Sequence, residues 1–330
     1  ERRGSGLIYS GIYNSNSGVN SLNQFIQAEK ITKDLNPTYG SIQKLFSRNT
    51  DLVAFCEDRV VRISANKDAV FNADGNPQLI ASDRVLGQTI PFAGDYGISK
   101  NPESFASENY RVYFTDKQRG AVLRLSMDGI TPISDYGMSD YFKDNLKKAD
   151  LLILGTYDDK KREYNLSLKN KDRGKGPVIN TTLSFDEKAK GWSSFKSFVP
   201  ENGVSVFGNY YTMSGGFSYE HHVEQFDIDG KEINRNTFYW DGSAYAYTDS
   251  SIEFLLNHTP GVVKSFKTLN YEGSQSNIVG PNLLVDSLDY YNLENKDGWS
   301  ADYIETDKQK GSIAEFISLP SISNCSTWCS

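Results

Sequence analysis

YRVYFTDKQRGAVLRLSMDGITPI, residues 110–133, shows a clear succession of strands and turns. Aromatic and β-branched residues alternate with polar ones up to Asp116, and Lys117 to Gly120 form a turn. A second alternating segment runs from Ala121 to Ser126, and Asp128-Gly129 then makes another tight turn before a third short strand. Antiparallel strands joined by tight turns make a meander, which is the unit of a propeller blade. The positions predicted to be buried between blades are Val112, Phe114, Val122 and Leu125.

The same pattern recurs at residues 42–71, 151–195 and 204–219. The units share a pattern rather than a sequence, so an irregular propeller of roughly four to six blades or a large β-sandwich would fit. The 20 Tyr, 18 Phe and 27 Gly also favour strands and turns over helices. One short helix is predicted at residues 139–148, with Ser139 as its N-cap. We therefore predict an all-β chain.

Residues 1–226 are predicted to form the irregular β-propeller, and residues 227–330 a smaller C-terminal β module or extended arm. The sequence begins with Glu1, so we expect it to be an incomplete fragment of a longer chain. No apolar run is long enough to span a membrane. The three Cys do not make a disulfide framework. A formal charge of −7 argues against a general or sequence-specific nucleic-acid binder, but it suits a conduit whose wall must not hold phosphate.

The side chains with catalytic or metal-binding potential form no recognisable motif. There is no Gly-x-Ser-x-Gly elbow and no phosphate-binding loop ending in Gly-Lys-Ser/Thr. His221 and His222 are adjacent, so on a strand they point to opposite faces; we expect a strand-end pair near solvent. Asp158-Asp159 is typical of a polar turn. We therefore expect no enzymatic activity, no cofactor and no metal site.

An apolar pattern near the C-terminus predicts an interface. Residues 251–256 and 262–269 are predicted to form a hairpin whose apolar positions alternate with polar ones. A lone hairpin is marginal in water, so this face must be buried against a neighbouring subunit or, alternatively, against its own subunit's core. The residues that follow are rich in acidic and aromatic side chains, as expected of a docking arm. The predicted subunit-interface residues are Ile252, Phe254, Leu256, Phe266 and Trp299.

Several stretches resemble virion structural proteins of tailed bacteriophages, and together they cover most of the chain up to about Phe316. They include RRGSGLIYSGIYN near the N-terminus, YFTDK and RLSMDG within residues 110–133, VLGQTIPFAGDYGISKNP at residues 85–102, and PGVVKSFKTLNYEGSQ at residues 260–275. Within this class, the chain resembles tail nozzle and muzzle proteins of short-tailed phages, which contain propeller domains.

The resemblance implies a non-enzymatic structural component of a phage tail. It implies a homo-oligomeric ring around the DNA exit path, with six-fold symmetry, other virion tail proteins as partners and the virion as its location. One alternative is a host-receptor or glycan-binding tail protein that uses aromatics such as Trp240 and Tyr245 as sugar platforms. Another is a glycan-degrading tail enzyme on the same fold.

Overall fold

The computed structural model of the 330-residue chain describes residues 3–11, 13–14, 17–26, 28, 31–48, 51–71, 77–172, 178–226, 229–230, 236–240, 245–248, 250–255, 258–263, 303–305, 310–312 and 326–328. Strands hold 48% of the residues and helices 8%, which confirms the predicted all-β class. The chain divides into two compact units, Glu1–Ala246 and Tyr247–Ser330. The predicted domain boundary at residue 226 stays a prediction.

The first unit begins with a narrow two-stranded structure. Strand β1 (Gly6–Ile8) pairs with β4 (Thr32–Asp34), and between them β2 (Tyr13–Asn14) pairs with β3 (Val19–Asn20). We call residues 9–31 the N-terminal ribbon. A 3₁₀ turn at Pro37–Tyr39 follows β4, and the Asn36 side chain caps it by accepting a hydrogen bond from the Thr38 backbone N–H.

Four antiparallel meanders come next, and in each of them every strand pairs with its sequence neighbour. The first meander holds β5 (Ile42–Arg48), β6 (Asp51–Cys56), β7 (Val60–Phe71) and β8 (Pro77–Pro91). The second holds β9 (Ala106–Ser107), β10 (Val112–Asp116), β11 (Ala121–Ser126) and β12 (Gly129–Pro132). The third holds β13 (Leu152–Asp158), β14 (Glu163–Lys169), β15 (Asn180–Asp186) and β16 (Gly191–Lys196). The fourth holds β17 (Asn202–Val206), β18 (Asn209–Ser214) and β19 (Phe217–Glu220), and a two-stranded sheet of β20 (Thr237–Trp240) and β21 (Tyr245–Tyr247) follows it.

In the described part of the chain, helical structure is confined to short segments. Helix α1 spans Ser139–Asn145 between the second and third meanders, and 3₁₀ turns lie at Pro102–Ser104 and Ile133–Asp135. The predicted N-cap was wrong, because Met138 occupies the cap position and Ser139 already lies in the first helical turn. The helix buries Phe142 against the core between the second and third meanders.

Consecutive meanders pack against each other through continuous apolar clusters. One cluster joins the first and second meanders and contains Phe55, Val112, Phe114 and Leu125, while another joins the second and third and contains Tyr113, Val122, Leu166 and Phe185. The predicted burial of the four inner positions, Val112, Phe114, Val122 and Leu125, is therefore confirmed. Neighbouring residues on β10 point to opposite faces, so the second meander buries both faces, each against a different neighbour.

The turn between β17 and β18 differs from its prediction by one residue. The sequence predicts a turn at Gly208-Asn209, but Asn209 pairs with Val206 and the two-residue turn is Phe207-Gly208. Both turn residues have positive φ, 52° and 79°, which matches the right-handed twist of the flanking strands. A phenylalanine is a poor candidate for this conformation on sequence grounds, since Asn, Asp and Gly are the usual residues there.

The second unit contains a mixed four-stranded sheet in the order β22 (Glu253–Leu255), β25 (Ser326–Trp328), β23 (Tyr303–Glu305), β24 (Lys310–Ser312). Strand β22 pairs in parallel with β25, rather than with the start of the predicted second hairpin strand; Val262 and Val263 are exposed and belong to no strand. The rest of that predicted strand, residues 264–269, lies outside the described residues. The sequence also favoured a loose end at residues 325–329, which was wrong for the three residues of β25.

Candidate functional site

Two fully buried acidic side chains and one partly buried one join neighbouring meanders at their edges. At the end of β10, Asp116 is fully buried and accepts hydrogen bonds from the Ser99 hydroxyl at 3.0 Å and the Arg119 guanidinium at 2.8 Å. The Ser99 backbone N–H in turn donates to the carbonyl oxygen of Glu57, which lies in a turn of the first meander, at 3.0 Å. Asp116 therefore fixes the entry to the second meander against the first.

Glu187 joins the second and third meanders through hydrogen bonds. It lies in the β15–β16 turn and accepts hydrogen bonds from the Tyr113 hydroxyl and from Arg124, both at 2.8 Å. Burial, and next the hydrogen bond to Glu187, raise the pKa of Tyr113 above its usual range, so this hydroxyl stays a donor. The Tyr113 ring also stacks on Tyr164 of the third meander, with ring centroids 4.8 Å apart.

Asp158 joins the third and fourth meanders. It is fully buried at the end of β13, and one carboxylate oxygen accepts hydrogen bonds from the backbone N–H groups of Lys160 and Lys161 at 2.9 and 3.0 Å. The other oxygen lies 2.6 Å from Nε2 of His222, which follows β19. The sequence-based interpretation of Asp158 as a turn residue was therefore incomplete, because the same carboxylate also holds the fourth meander.

His221 lies in the interior, which corrects the expectation that both histidines lie near solvent. Its Nε2 atom lies 2.6 Å from the Thr212 hydroxyl, and its ring contacts Phe198 and Tyr210. Burial, helped by the neighbouring His222, lowers the pKa of His221 to about 4, so the ring is neutral near pH 7. Adjacent positions do separate the two side chains, as expected: His222 binds Asp158 and His221 binds Thr212.

Two hydroxyls of the fourth meander are engaged in hydrogen bonds within the fold. A His–Asp pair activates a hydroxyl only when the hydroxyl lies within hydrogen-bond reach of the second imidazole nitrogen. Ser205 donates to the Tyr157 carbonyl at 2.8 Å, and Thr212 bonds His221. Burial raises the pKa of the Cys56 thiol to about 11, which keeps it protonated and unreactive. Among the described residues, no group of three or more His, Cys, Asp or Glu is placed to hold a metal ion.

Two surfaces of the first unit expose apolar side chains. The first is the N-terminal ribbon and its base, where six large apolar residues are about half exposed or more: Ile8, Tyr13, Val19, Leu22, Phe25 and Ile26. The second is the face of the fourth meander that points away from the third. We call this surface the open face. Strands β17 and β18 contribute Asn202, Val204, Val206, Asn209, Tyr211 and Met213 to it, and β19 contributes Ser218 and Glu220, which pair with Met213 and Tyr211. The sequence-based search missed both surfaces.

Of the predicted interface residues, Ile252 is 42% exposed just before β22. Phe254 lies within β22, but its side chain is outside the described part of the structure, as are the whole residues Leu256, Phe266 and Trp299. The predicted interface at these five positions stays a prediction. No helix in the described ranges is long and apolar enough to cross a membrane.

Comparison of the sequence with known protein families and with curated proteins finds no match.

Proposed function

We propose that this chain is a non-enzymatic structural component of a phage tail, a propeller-like subunit that assembles into a ring around the DNA exit path of the virion. The observation that carries the proposal is the packing of the second meander. Its Phe114 side is buried against the first meander and its Tyr113 side against the third. Stacking of consecutive meanders in chain order is the arrangement of blades in a propeller, whereas a sandwich pairs only two sheets.

The first strands of the meanders support the same arrangement. Strand β13 lies beside both β9 and β17, so the opening strands of three successive meanders are neighbours. Gly155 on β13 and Gly203 on β17 lie where a Cβ would meet the preceding meander, 2.0 Å from the Ser104 carbonyl oxygen and 3.0 Å from Thr156 Cγ2 respectively. Such close approach is expected where blades converge on a common axis.

The proposed role in a phage tail rests on the resemblance to tail nozzle and muzzle proteins and on three acidic side chains that join neighbouring meanders. Asp116, Glu187 and Asp158 each tie one meander to the next instead of facing an open cleft. A stack held in this way is suited to bear mechanical load in a tail. The formal charge of −7 also suits a channel through which DNA must pass without binding.

An electron-microscopy map of the intact phage particle, with this chain placed in it, is the direct test. We expect copies of the chain in a ring around the tail axis. Two assays on the purified protein address the alternatives, a glycan array for receptor binding and a polysaccharide-degradation assay for enzymatic activity. Specific cleavage of a polysaccharide, or a map that places the chain away from the DNA path, would overturn the proposal.

A further inference from the structure

The N-terminal ribbon combines apolar exposure with a lack of charge. Residues 4–28, a run of 25 residues, contain no Asp, Glu, Lys, Arg or His, although 23% of the chain is charged. Among the described residues of the ribbon, the Tyr9 N–H donates to the Ile31 carbonyl at 2.9 Å, and the Gly11 N–H donates to the Gln24 carbonyl at 3.2 Å. A two-stranded ribbon of this kind is marginal in water. Its exposed apolar residues, including Tyr13 and Phe25, therefore favour contact with another surface.

The open face of the fourth meander has matching chemistry. On β18, Tyr210 and Thr212 point towards the third meander and are buried, while Tyr211 and Met213 point the other way. Val204 and Val206 on β17 lie on the same side as Tyr211 and Met213 and are more than 40% exposed. The part of the open face on β17 and β18 carries no charged side chain, while the exposed Glu220 of the edge strand β19 lies beside Tyr211. An apolar centre with Tyr, Met and aliphatic side chains and a charged residue at its rim is the composition of an interface.

The N-terminal ribbon adjoins the first of the four meanders, and the open face lies on the fourth. Leu7, Leu35 and Tyr39, which flank the N-terminal ribbon, pack against Ala54 and Ile63 of the first meander. The outer side of the first meander is therefore covered by the chain itself at the end where the ribbon emerges. The open face belongs to the last of the four meanders.

We propose that the N-terminal ribbon of one copy docks on the open face of a second copy. A donor beside the first meander and an acceptor on the fourth are different surfaces of one subunit, so the contact between two copies is head-to-tail. Such a contact closes into a ring when the rotation between neighbours permits it. The inference deepens the proposed function by assigning the subunit contact, and it rests on that proposal only in requiring that the chain assembles with itself.

The test uses charge to block each surface in the full chain. One variant carries Tyr13→Lys, Leu22→Lys and Phe25→Lys on the ribbon, and another carries Val204→Lys and Val206→Lys on the open face. All five side chains are at least 42% exposed, so the fold should persist; far-ultraviolet circular dichroism and thermal melting check this. The matched control is Tyr110→Lys with Met127→Lys, two exposed turn residues of the second meander.

Sedimentation velocity against protein concentration gives the result. We expect the wild type and the control to associate equally, and each blocked variant to associate at least about tenfold more weakly, as expected for loss of apolar anchors. Mixing the two blocked variants restores one intact contact per pair, because one partner keeps its ribbon and the other its open face. The mixture should form a dimer and stop there.

The alternative outcomes separate the inference from the proposed function. Wild-type assembly that both blocked variants retain would overturn the inference and leave the ring proposal intact. A mixture that stays monomeric would overturn the head-to-tail contact. A wild type that stays monomeric throughout would overturn the inference together with the ring. Cleavage of a polysaccharide by the purified chain would overturn the structural role while leaving the docking contact untouched.

Discussion

Gly155 lies at a close approach between the second and third meanders, so replacing it with alanine tests whether these sheets pack as described. A Cβ added there would lie 2.0 Å from the Ser104 carbonyl oxygen and 2.9 Å from the Tyr164 hydroxyl oxygen. Ordinary contact begins at 3.4 Å, so the Ser104 backbone must retreat by about 1.4 Å, the difference between 3.4 and 2.0 Å. Backbone on both sides of the contact leaves no flexible side chain to absorb the shift.

The loss of stability can be estimated from what this retreat breaks. Forcing extra volume into a packed core costs about 1–3 kcal/mol. The Tyr164 hydroxyl, which is completely buried, donates to the Ser104 carbonyl at 2.9 Å, and loss of this bond leaves a buried donor unpaired at about 1–3 kcal/mol more. We therefore expect Gly155→Ala to lower the free energy of unfolding by roughly 4 kcal/mol. In a domain of this size, that corresponds to a decrease in Tm of roughly 10 °C.

Thermal melting of the full chain, followed by circular dichroism or calorimetry, measures the effect. Gly191→Ala is the matched control, because a Cβ at Gly191 would meet nothing closer than the Ala189 carbonyl oxygen at 3.9 Å. That variant should melt within about 2 °C of the wild type. If Gly155→Ala melts together with Gly191→Ala, the two sheets do not approach closely at β13, and the stacked arrangement that supports the propeller proposal is refuted.

Three further substitutions test individual contacts. Phe207→Asn places a favoured residue at a positive-φ turn position and should raise the free energy of unfolding by about 1 kcal/mol in denaturant melts, whereas Phe217→Asn should not stabilise the chain. Burial lowers the pKa of His221 to about 4, while the unfolded value is about 6.5. Between these two pKa values only the unfolded chain takes up this proton, so the free energy of unfolding should decrease as the pH is lowered through that window. Urea unfolding across this pH range should show a smaller decrease of the free energy of unfolding for His221→Gln than for the wild type. Tyr113→Phe removes the 2.8 Å hydrogen bond to Glu187 and should lower the free energy of unfolding by about 1–2 kcal/mol, and an unchanged midpoint would show that this contact adds nothing.

The meanders were predictable because their signals are local. Alternation along β10 and β11 and the Asp-Gly turn between β11 and β12 each depend on a few consecutive residues, and the observed pairing Val112 with Leu125 follows from them. The third meander was predicted almost strand for strand, since the turns after Asp158 and Asp186 separate clear apolar runs. How many sheets follow one another could not be predicted, because that depends on contacts between residues far apart in sequence.

The roles of the buried polar groups could not be predicted from local pattern. Asp158 looks like any turn aspartate in the sequence, and only the fold brings His222, 64 residues away, to its carboxylate. His221 was expected near solvent because it was interpreted as one of a pair at the end of a strand. The aromatic side chains of Phe198, Tyr210 and Phe238, which close over it, come from three separate segments. Asp116 and Asp158 each end a strand before a hairpin turn, but so does Asp186, which bonds the Lys188 and Ala189 N–H groups of its own turn. This position alone therefore does not distinguish the residues that join meanders.

The two candidate interfaces show what an apolar pattern can and cannot indicate. Alternation around Ile252 is equally expected of a strand that completes its own core and of one that binds a neighbour, because both bury one face. Lack of charge over residues 4–28 carries different information. A ribbon whose apolar side chains stay in solvent gains solubility from Lys or Glu at its exposed positions, and nothing in its own fold forbids them there. A ribbon that docks would leave such charges desolvated and unpaired, at a cost of several kcal/mol each. Because Tyr13, Leu22 and Phe25 remain exposed in the folded chain, the fold itself does not explain the missing charges, whereas docking does.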